Sequence, residues 1–282
     1  MIPFWTTNAI YDTVFCKRLG FVLTWFQHVE IMAEQKGIIK FKGSIGDISF
    51  YKSKDGYMAR ERGGIDASRI ANDPKFQRTR ENGAEFGRAG KAGKLLRSAL
   101  RTVVYQGADS RMTARLMRDM MKVIKADAVN DRGQRQVMDG EVELLTGFEF
   151  NEQGKVSTTV FMPYTPAIDR ATGQLTVSIP AFVPNQTIAA PTGTTHFTLK
   201  VAGALVDFEA ENYVVDVKDT GMLALDNTAT TIQPLVCAVT PASTKPLFIA
   251  LGIEFYQQIN SKFYLLSNGA FNGLALVNIS GQ

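Results

Sequence analysis

Cysteine and histidine are scarce in this chain of 282 residues, which has only Cys16, Cys237, His28 and His196. The two cysteines lie far apart in the sequence, so they predict no disulfide framework and favour a reducing compartment. The sequence also lacks the H-E-x-x-H, C-x-x-C and G-x-S-x-G motifs of metal, redox and esterase sites. We therefore predict that the chain is not an enzyme, with no catalytic, metal-binding or cofactor-binding residues.

A catalytic triad would have to use His196, and no motif identifies a nucleophile for it. This histidine lies among β-branched residues, where we expect a structural role. Glycine followed by lysine occurs at Gly90-Lys91 and Gly93-Lys94, but neither pair has the glycine five residues earlier or the Ser/Thr that a phosphate-binding loop needs. The sequence therefore predicts no nucleotide site.

Long apolar runs are also missing. The longest run near the start, Gly20–Phe26, is far shorter than the roughly 20 residues that cross a bilayer. We predict no membrane span, and a location in the cytoplasm or in a particle released from the cell. Because Met32-Ala-Glu-Gln-Lys36 is typical of a bacterial start, residues 1–31 are predicted to be a non-native or disordered leader. The alternatives are a membrane-surface anchor and an ordinary N-terminal helix.

Charge is unevenly distributed along the chain. Residues 32–136 hold 23 Lys and Arg against 12 Asp and Glu, a net charge of +11, whereas residues 137–282 hold 6 against 13, a net charge of −7. We predict two domains that follow this contrast, a basic one over 32–136 and an acidic one over 137–282. Such opposite charges favour head-to-tail contact between copies.

The basic part begins with a pattern typical of a β-meander. Apolar residues alternate between Gly37 and Arg62, and Gly43-Ser44 and Asp55-Gly56 are typical of tight turns. Three antiparallel strands are predicted, at about 38–42, 46–52 and 57–61. Three short strands are about the minimum for a stable sheet, so we expect this one to pack against another surface.

Two helices are predicted next. Asp73 and Pro74 are typical of a helix start, and the first helix should extend to about Val104. Its glycines cost roughly 1 kcal/mol each relative to alanine. They indicate either close approach of another backbone or a break in the helix; these glycines are Gly83, Gly87, Gly90 and Gly93.

The second helix, predicted over about Ser110–Ala128, has a basic stripe. Its five cations recur at spacings of four and three residues, and so lie within about 80° of arc; they are Arg111, Arg115, Arg118, Lys122 and Lys125. An apolar row on the opposite side should be buried. The stripe is predicted to be a solvated face, with nucleic acid or an acidic protein surface as the alternative contacts.

After Gly140 short β-rich segments alternate with turn residues. We predict eight or nine strands and no helix, arranged as an antiparallel sandwich; the candidate strands span 146–151, 155–161, 174–179, 195–207, 213–218, 232–239, 247–257, 262–265 and 274–279. Hairpin turns are predicted at Glu152–Gly154 and Asn260-Ser261. Two sets of alternating carboxylates are predicted to be solvated rather than to bind Ca²⁺; they are Asp139, Glu141 and Glu143, and Asp207, Glu209 and Glu211.

Four segments together resemble an uncharacterised family of bacterial proteins. They are Gly43–Tyr51, Asp73–Gly87, Gly252–Tyr256 and Asn268–Asn272. The resemblance extends from about Met32 to the C-terminus and is consistent with a native start at Met32. It implies the organisation of the chain and no activity.

The sequence thus predicts an α+β chain, with an N-terminal meander, two basic helices and a C-terminal immunoglobulin-like or jelly-roll-like sandwich. The leading hypothesis for function is a non-enzymatic structural or interaction protein that binds itself or another protein, including a component of a phage-like particle. A nucleic-acid-binding protein that uses the basic stripe is the first alternative. A sandwich that binds carbohydrate or catalyses hydrolysis is the second, on fold analogy alone.

Overall fold

The computed structural model describes residues 32–61, 64–232 and 234–281, and the chain forms two compact units that divide between Asp66 and Ala67. The predicted leader, residues 1–31, lies outside the described residues. The division differs from the predicted domain boundary at 136/137. Residues 1–66 hold 9 Lys and Arg against 7 Asp and Glu, and residues 67–282 hold 22 against 20. Each unit therefore has a net charge of +2, and the charge contrast lies within the second unit.

The first unit contains a four-stranded antiparallel sheet in the order β1-β4-β3-β2. Its strands are β1 Met32–Glu34, β2 Gly43–Ile45, β3 Ile48–Ser53 and β4 Gly56–Glu61. The predictions at 46–52 and 57–61 are confirmed, but the predicted strand at 38–42 was wrong. Gly46, with φ 56°, forms the turn before β3, so Gly43–Ile45 pairs with β3 instead of forming the turn itself.

Helices begin the second unit. They are α1 Ala67–Asn72, α2 Gln77–Ala99, α3 Arg101–Gly107 and α4 Met112–Lys125. The Asp73 side chain accepts a hydrogen bond from the Lys75 N–H at 2.9 Å and caps a 3₁₀ turn, Pro74–Phe76, that leads into α2. The helix start is therefore where the Asp-Pro pair predicted it. The four glycines do not break α2, and a kink at Leu100 separates it from α3.

Two long strands, β7 His196–Asp207 and β11 Leu247–Ile259, form the centre of the main antiparallel sheet. Beside β7 lie β8 Asn212–Asp219 and β9 Leu223–Ala224, and beside β11 lie β12 Lys262–Leu265 and β13 Gly273–Ser280. The middle of each central strand, Val201–Val206 and Leu247–Ile253, is apolar throughout, which is typical of strands that are covered on both faces.

Helices cover one face of this sheet. Leu96 of α2 and Leu116 and Met120 of α4 belong to one core with Ala202 and Phe248 of the sheet. This shared core is the physical reason why the predicted boundary at 136/137 does not separate two units. The helices of the basic part and the strands of the acidic part bury the same apolar surface.

A three-stranded antiparallel sheet covers the other face. It consists of β5 Thr165–Asp169, β6 Gln174–Ser178 and β10 Leu235–Ala238, in the order β10-β6-β5. Leu175 and Cys237 pack there against Val201 and Ile249. At Gly203 an added Cβ would lie 2.7 Å from the Cys237 Cβ, so glycine permits the close approach of the two sheets. The α+β class with antiparallel sheets is thus confirmed.

The prediction that this region contains no helix was wrong. Two predicted strands, 146–151 and 155–161, are absent, and so is the hairpin turn between them at Glu152–Gly154. In their place are a 3₁₀ helix, Val142–Leu145, and α5 Val156–Thr159, and a further helix, α6, spans Pro184–Thr187. The Glu149 carboxylate accepts hydrogen bonds from the N–H groups of Val156 and Ser157 at 3.0 and 2.9 Å. This cap outweighs the β preference of the local sequence.

The remaining seven predicted strands correspond to β6, β7, β8, β10, β11, β12 and β13. The predicted hairpin turn at Asn260-Ser261 is also confirmed. Both residues have positive φ, 49° and 61°, as a type I′ turn between β11 and β12 requires. The short strands β5 and β9 were not predicted.

Candidate functional site

The five cations of the basic stripe lie along α4 and its N-terminal flank, as predicted from their spacing, and their surroundings differ. The apolar row on the opposite side is buried, also as predicted; it consists of Met112, Leu116, Met120 and Val123. Arg111 precedes the first turn of the helix, and Lys125 is its last residue. Arg118, Lys122 and Lys125 are exposed, whereas the Arg115 side chain is only 15% exposed.

Arg115 connects α4 to the segment 149–152. Its Nη1 lies 2.8 Å from the Asp109 carboxylate, and its Nε lies 3.3 Å from that of Glu152. Its Nη2 donates to the main-chain carbonyls of Glu149 and Phe150, both at 3.1 Å. This set of contacts is internal to the fold, so Arg115 holds the 149–152 segment in place.

Asp119 neutralises the middle of the stripe. Its carboxylate lies 3.1 Å from Arg118 Nη2 and 2.6 Å from Lys122 Nζ. Burial raises the pKa of Asp119, but the hydrogen bonds from Arg118 and Lys122 outweigh it, and the net shift is downward. Three of the five predicted contact residues are therefore paired with carboxylates of the same chain.

A cleft of about 720 Å³ lies beside Arg111 and Arg115. Its walls come from the end of α3, the 109–111 and 151–153 segments and the turn before β13. In that turn Ser267, Asn268 and Gly269 all have positive φ, at 48°, 52° and 81°. The lining mixes two arginines with the carboxylates of Asp109 and Glu152. It therefore does not favour a ligand of one charge sign.

Two asparagines connect the segments around this cleft by hydrogen bonds. Asn151 Nδ2 donates to the carbonyls of Ala270 and Asn272 at 2.9 and 2.8 Å. Asn272 Nδ2 donates to the Gln106 carbonyl at 3.1 Å, and its Oδ1 accepts from the Phe255 N–H at 3.2 Å. Two of the segments that resemble the bacterial family, Gly252–Tyr256 and Asn268–Asn272, are thus joined directly by the Asn272 side chain.

The main sheet contains an ion pair that the sequence did not predict, between Lys200 and Glu254. Lys200 Nζ lies 2.7 Å from Glu254 Oε1, and the Tyr256 hydroxyl donates to Glu254 Oε2 at 2.6 Å. Gln106 of α3 accepts a further hydrogen bond from Lys200 at 3.3 Å. Burial and the neighbouring carboxylate raise the pKa of Tyr256. The alternation of β7 and β11 places these residues on one face, but only the cross-strand register brings them together.

The two carboxylate sets have local partners. Asp207 accepts from the N–H groups of Glu209 and Ala210 at 3.0 Å and pairs with Lys245 at 3.3 Å. Glu143 accepts from the Gly281 N–H. In the part of the chain that the structure describes, no three His, Cys, Asp or Glu side chains are grouped as a metal ion would need.

His196 and Cys237, the remaining candidates for a catalytic role, make contacts that are internal to the fold. His196 Nδ1 lies 3.0 Å from Thr195 Oγ1, and its ring contacts Phe263 edge-on with centroids 4.8 Å apart. Cys237 is buried between the two sheets, and burial raises the pKa of its thiol. A thiol in this setting is a poor nucleophile.

The N-terminal sheet differs from the rest of the fold in its burial. None of its described residues is buried, yet one face is rich in apolar side chains. Pair register and alternation place four of them together, and a ring contact with Phe50 adds Phe41. We define this set as the apolar face; it consists of Phe41, Ile45, Ile48, Phe50 and Tyr57. Phe41 is 50%, Ile45 62% and Ile48 46% exposed.

Comparison of the chain with protein-family models, curated proteins and solved structures finds no match in any of the three. Among the described helices, none has the length and apolar character needed to cross a bilayer.

Proposed function

We propose that this chain is a non-enzymatic structural or interaction protein that binds a protein surface through the apolar face of its N-terminal sheet. The single observation that supports the proposal is the exposure of Phe41, Ile45 and Ile48 on a sheet without a buried residue among those described. Contiguous exposed apolar patches of this kind are typical of interaction sites.

The stability of the N-terminal sheet gives a physical reason for it to bind another surface. A small sheet needs an apolar face buried against a second layer, because a few strands alone do not repay the entropy lost on ordering the chain. Burial of an exposed Ile or Phe side chain contributes roughly 1.5–3 kcal/mol. The apolar face therefore gains several kcal/mol when another surface covers it.

The charge contrast between residues 32–136 and 137–282 no longer supports association by complementary ends, because both compact units have a net charge of +2. The nucleic-acid alternative loses support for a related reason, since Arg115, Arg118 and Lys122 are paired with carboxylates. The immunoglobulin-like or jelly-roll-like type of the sandwich and the place in a phage-like particle stay predictions.

The test is the apparent mass of the protein in an extract of its own cells, measured by native electrophoresis. We expect the wild-type chain in a complex larger than the monomer, and the double variant Ile45→Glu/Ile48→Glu at monomer size, because two carboxylates would be desolvated in the contact. Ser49→Glu/Ser44→Glu on the opposite face is the matched control and should not change the mass. A wild-type chain at monomer size both in the extract and when purified at about 100 μM would refute the proposal.

A further inference from the structure

We propose that the surface that covers the apolar face is the same face of a second copy of this chain, related by a twofold axis that lies between the two sheets and runs across the strands. This inference rests on the proposed function and names its partner. The distribution of charge around the apolar face supports it.

Opposite charges lie at the two ends of the face. At one end Lys52 pairs in register with Tyr57, and the amines of Lys40 and Lys52 lie 5.7 and 5.5 Å from the Tyr57 ring centroid. At the other end Glu61 pairs in register with Ile48. Lys52 and Ile48 are four residues apart on β3, a distance of roughly 13 Å at about 3.3 Å per residue. Lys52 and Glu61 are therefore too far apart to pair within one sheet.

The apolar residues lie between these ends. Phe50 is at the middle of β3, and its ring packs against that of Phe41 with centroids 5.6 Å apart. Ile45 and Ile48 are directly opposite each other on β2 and β3. Alternation places Ser49, Tyr51 and Arg60 on the other face, where the Arg60 guanidinium lies over the Tyr51 ring. The two faces thus differ in polarity, and only one is suited to sheet packing.

A twofold axis across the strands exchanges the two ends of the face. The lysine end of one copy then lies over the glutamate end of the other, twice in each dimer, while the apolar centres meet. Such an isologous contact is self-complementary in both charge and polarity. A twofold axis along the strands would instead place lysine over lysine, so the charges select one of the two face-to-face arrangements.

The contact is small. Four short strands spaced about 4.8 Å apart give a footprint of roughly 300 Å², below the roughly 800 Å² per partner of a stable interface. We therefore expect a weak, reversible dimer. The dimer should be visible as a change in mass with concentration.

The experiment is a charge exchange on the full chain, measured by sedimentation velocity from about 1 to 100 μM. Lys52→Glu places two glutamates opposite each other in each contact, and Glu61→Lys places two lysines there. We expect each single variant to weaken the dimer about tenfold or more, since like charges across an interface are repulsive. The double variant Lys52→Glu/Glu61→Lys should restore the affinity to within about threefold, because both pairs are again opposite in charge.

Arg60→Glu is the matched control, since it makes the same change in charge on the other face and should leave the dimer unchanged. If single variants dimerise like the wild type, or the double variant stays as weak as the singles, the twofold contact is overturned. A purified wild-type chain that is monomeric at every concentration, yet part of a larger complex in the cell extract, also overturns it and leaves the proposed function in place. A chain that is monomeric in both settings refutes the two together.

Discussion

The Arg115 guanidinium and the Asp109 carboxylate form a 2.8 Å ion pair at the N-terminal end of α4. Asp109 also accepts from the main-chain N–H groups of Arg111 and Glu152, at 2.7 and 2.9 Å. The pair therefore connects the start of α4 to the 149–152 segment. Burial raises the pKa of Asp109, but these hydrogen bonds and Arg115 together lower it below its ordinary value.

This arrangement predicts that Arg115→Lys destabilises the protein. Lysine retains the charge but not the planar fork that reaches the carbonyls of Glu149 and Phe150. We expect a loss of about 2 kcal/mol in the free energy of unfolding, measured by urea denaturation. The control is Arg118→Lys, whose side chain is 65% exposed and should change stability by less than about 0.5 kcal/mol. Equal losses for the two variants would contradict the assignment.

Asp127 predicts a dependence of stability on acid pH. This buried carboxylate lies two residues after the end of α4. It accepts four hydrogen bonds, from the N–H groups of Val129, Asn130 and Gln136 and from the Asn130 side chain. Burial raises its pKa, but these bonds outweigh burial and lower the pKa to about 2. Because the unfolded value is about 3.9, the folded state holds the proton less tightly, and the carboxylate stabilises the fold above about pH 4.

We expect Asp127→Asn to lower the free energy of unfolding by about 2 kcal/mol at pH 6. The difference should shrink as pH falls from about 4 to 2, where the wild-type carboxylate becomes protonated. Urea denaturation of both proteins across this pH range provides the measurement. A difference that stays constant with pH would show that the charge of Asp127 is not the cause.

The basic stripe predicts weak contact with nucleic acid. Arg111 and Lys125 flank the carboxylate-paired Arg118 and Lys122, so few cations can displace counterions from DNA. We expect no retardation of a duplex by the full chain at about 50 mM salt in a gel-shift assay. Retardation that disappears in Arg111→Gln/Lys125→Gln would instead support the nucleic-acid alternative.

The sequence was most informative where local chemistry determines the structure. Asp73 and Pro74 predicted the helix start, Asn260-Ser261 predicted a hairpin, and the spacing of Leu116 and Met120 predicted the buried face of α4. In each case the pattern that makes the prediction lies within a few residues of the chain. The two long central strands were also predicted, since Val201–Val206 and Leu247–Ile253 are apolar throughout.

Contacts between distant residues account for what was missed. The β-branched residues of 155–161 predict a strand. The structure has α5 there because Glu149, which lies outside that helix, caps its first turn, and the local sequence does not reveal this contact. Asp119 and Asp109 pair with Arg118 and Arg115, two of the five cations of the basic stripe, and these pairings do not follow from the spacing of the cations. The charge contrast along the chain reflected which residues form helices and which form strands, and it did not predict that both would pack around one core.

Replacing glycine with alanine should have opposite effects on the free energy of unfolding in α2 and in the loops. A Cβ at Gly83 or Gly87 would meet no atom within 4 Å, whereas at Gly140 or Gly154 it would lie 2.3 Å from a main-chain carbonyl oxygen. We expect Gly83→Ala and Gly87→Ala each to raise the free energy of unfolding by about 1 kcal/mol, since alanine favours the helix. Gly140→Ala and Gly154→Ala should be strongly destabilising, because backbone cannot move aside.

Thermal and urea denaturation of the four variants test this contrast. Native electrophoresis of the cell extract then tests whether Gly83 and Gly87 are needed for contact with a partner. No contact within the described chain requires glycine at Gly83 or Gly87, so only the close approach of another surface would make these alanine variants unfavourable. If both alanine variants are more stable and keep the mass of the wild-type complex, the glycines serve no packing role in it. If stability rises and the complex is lost, this face of α2 is a second contact surface, distinct from the apolar face of the N-terminal sheet.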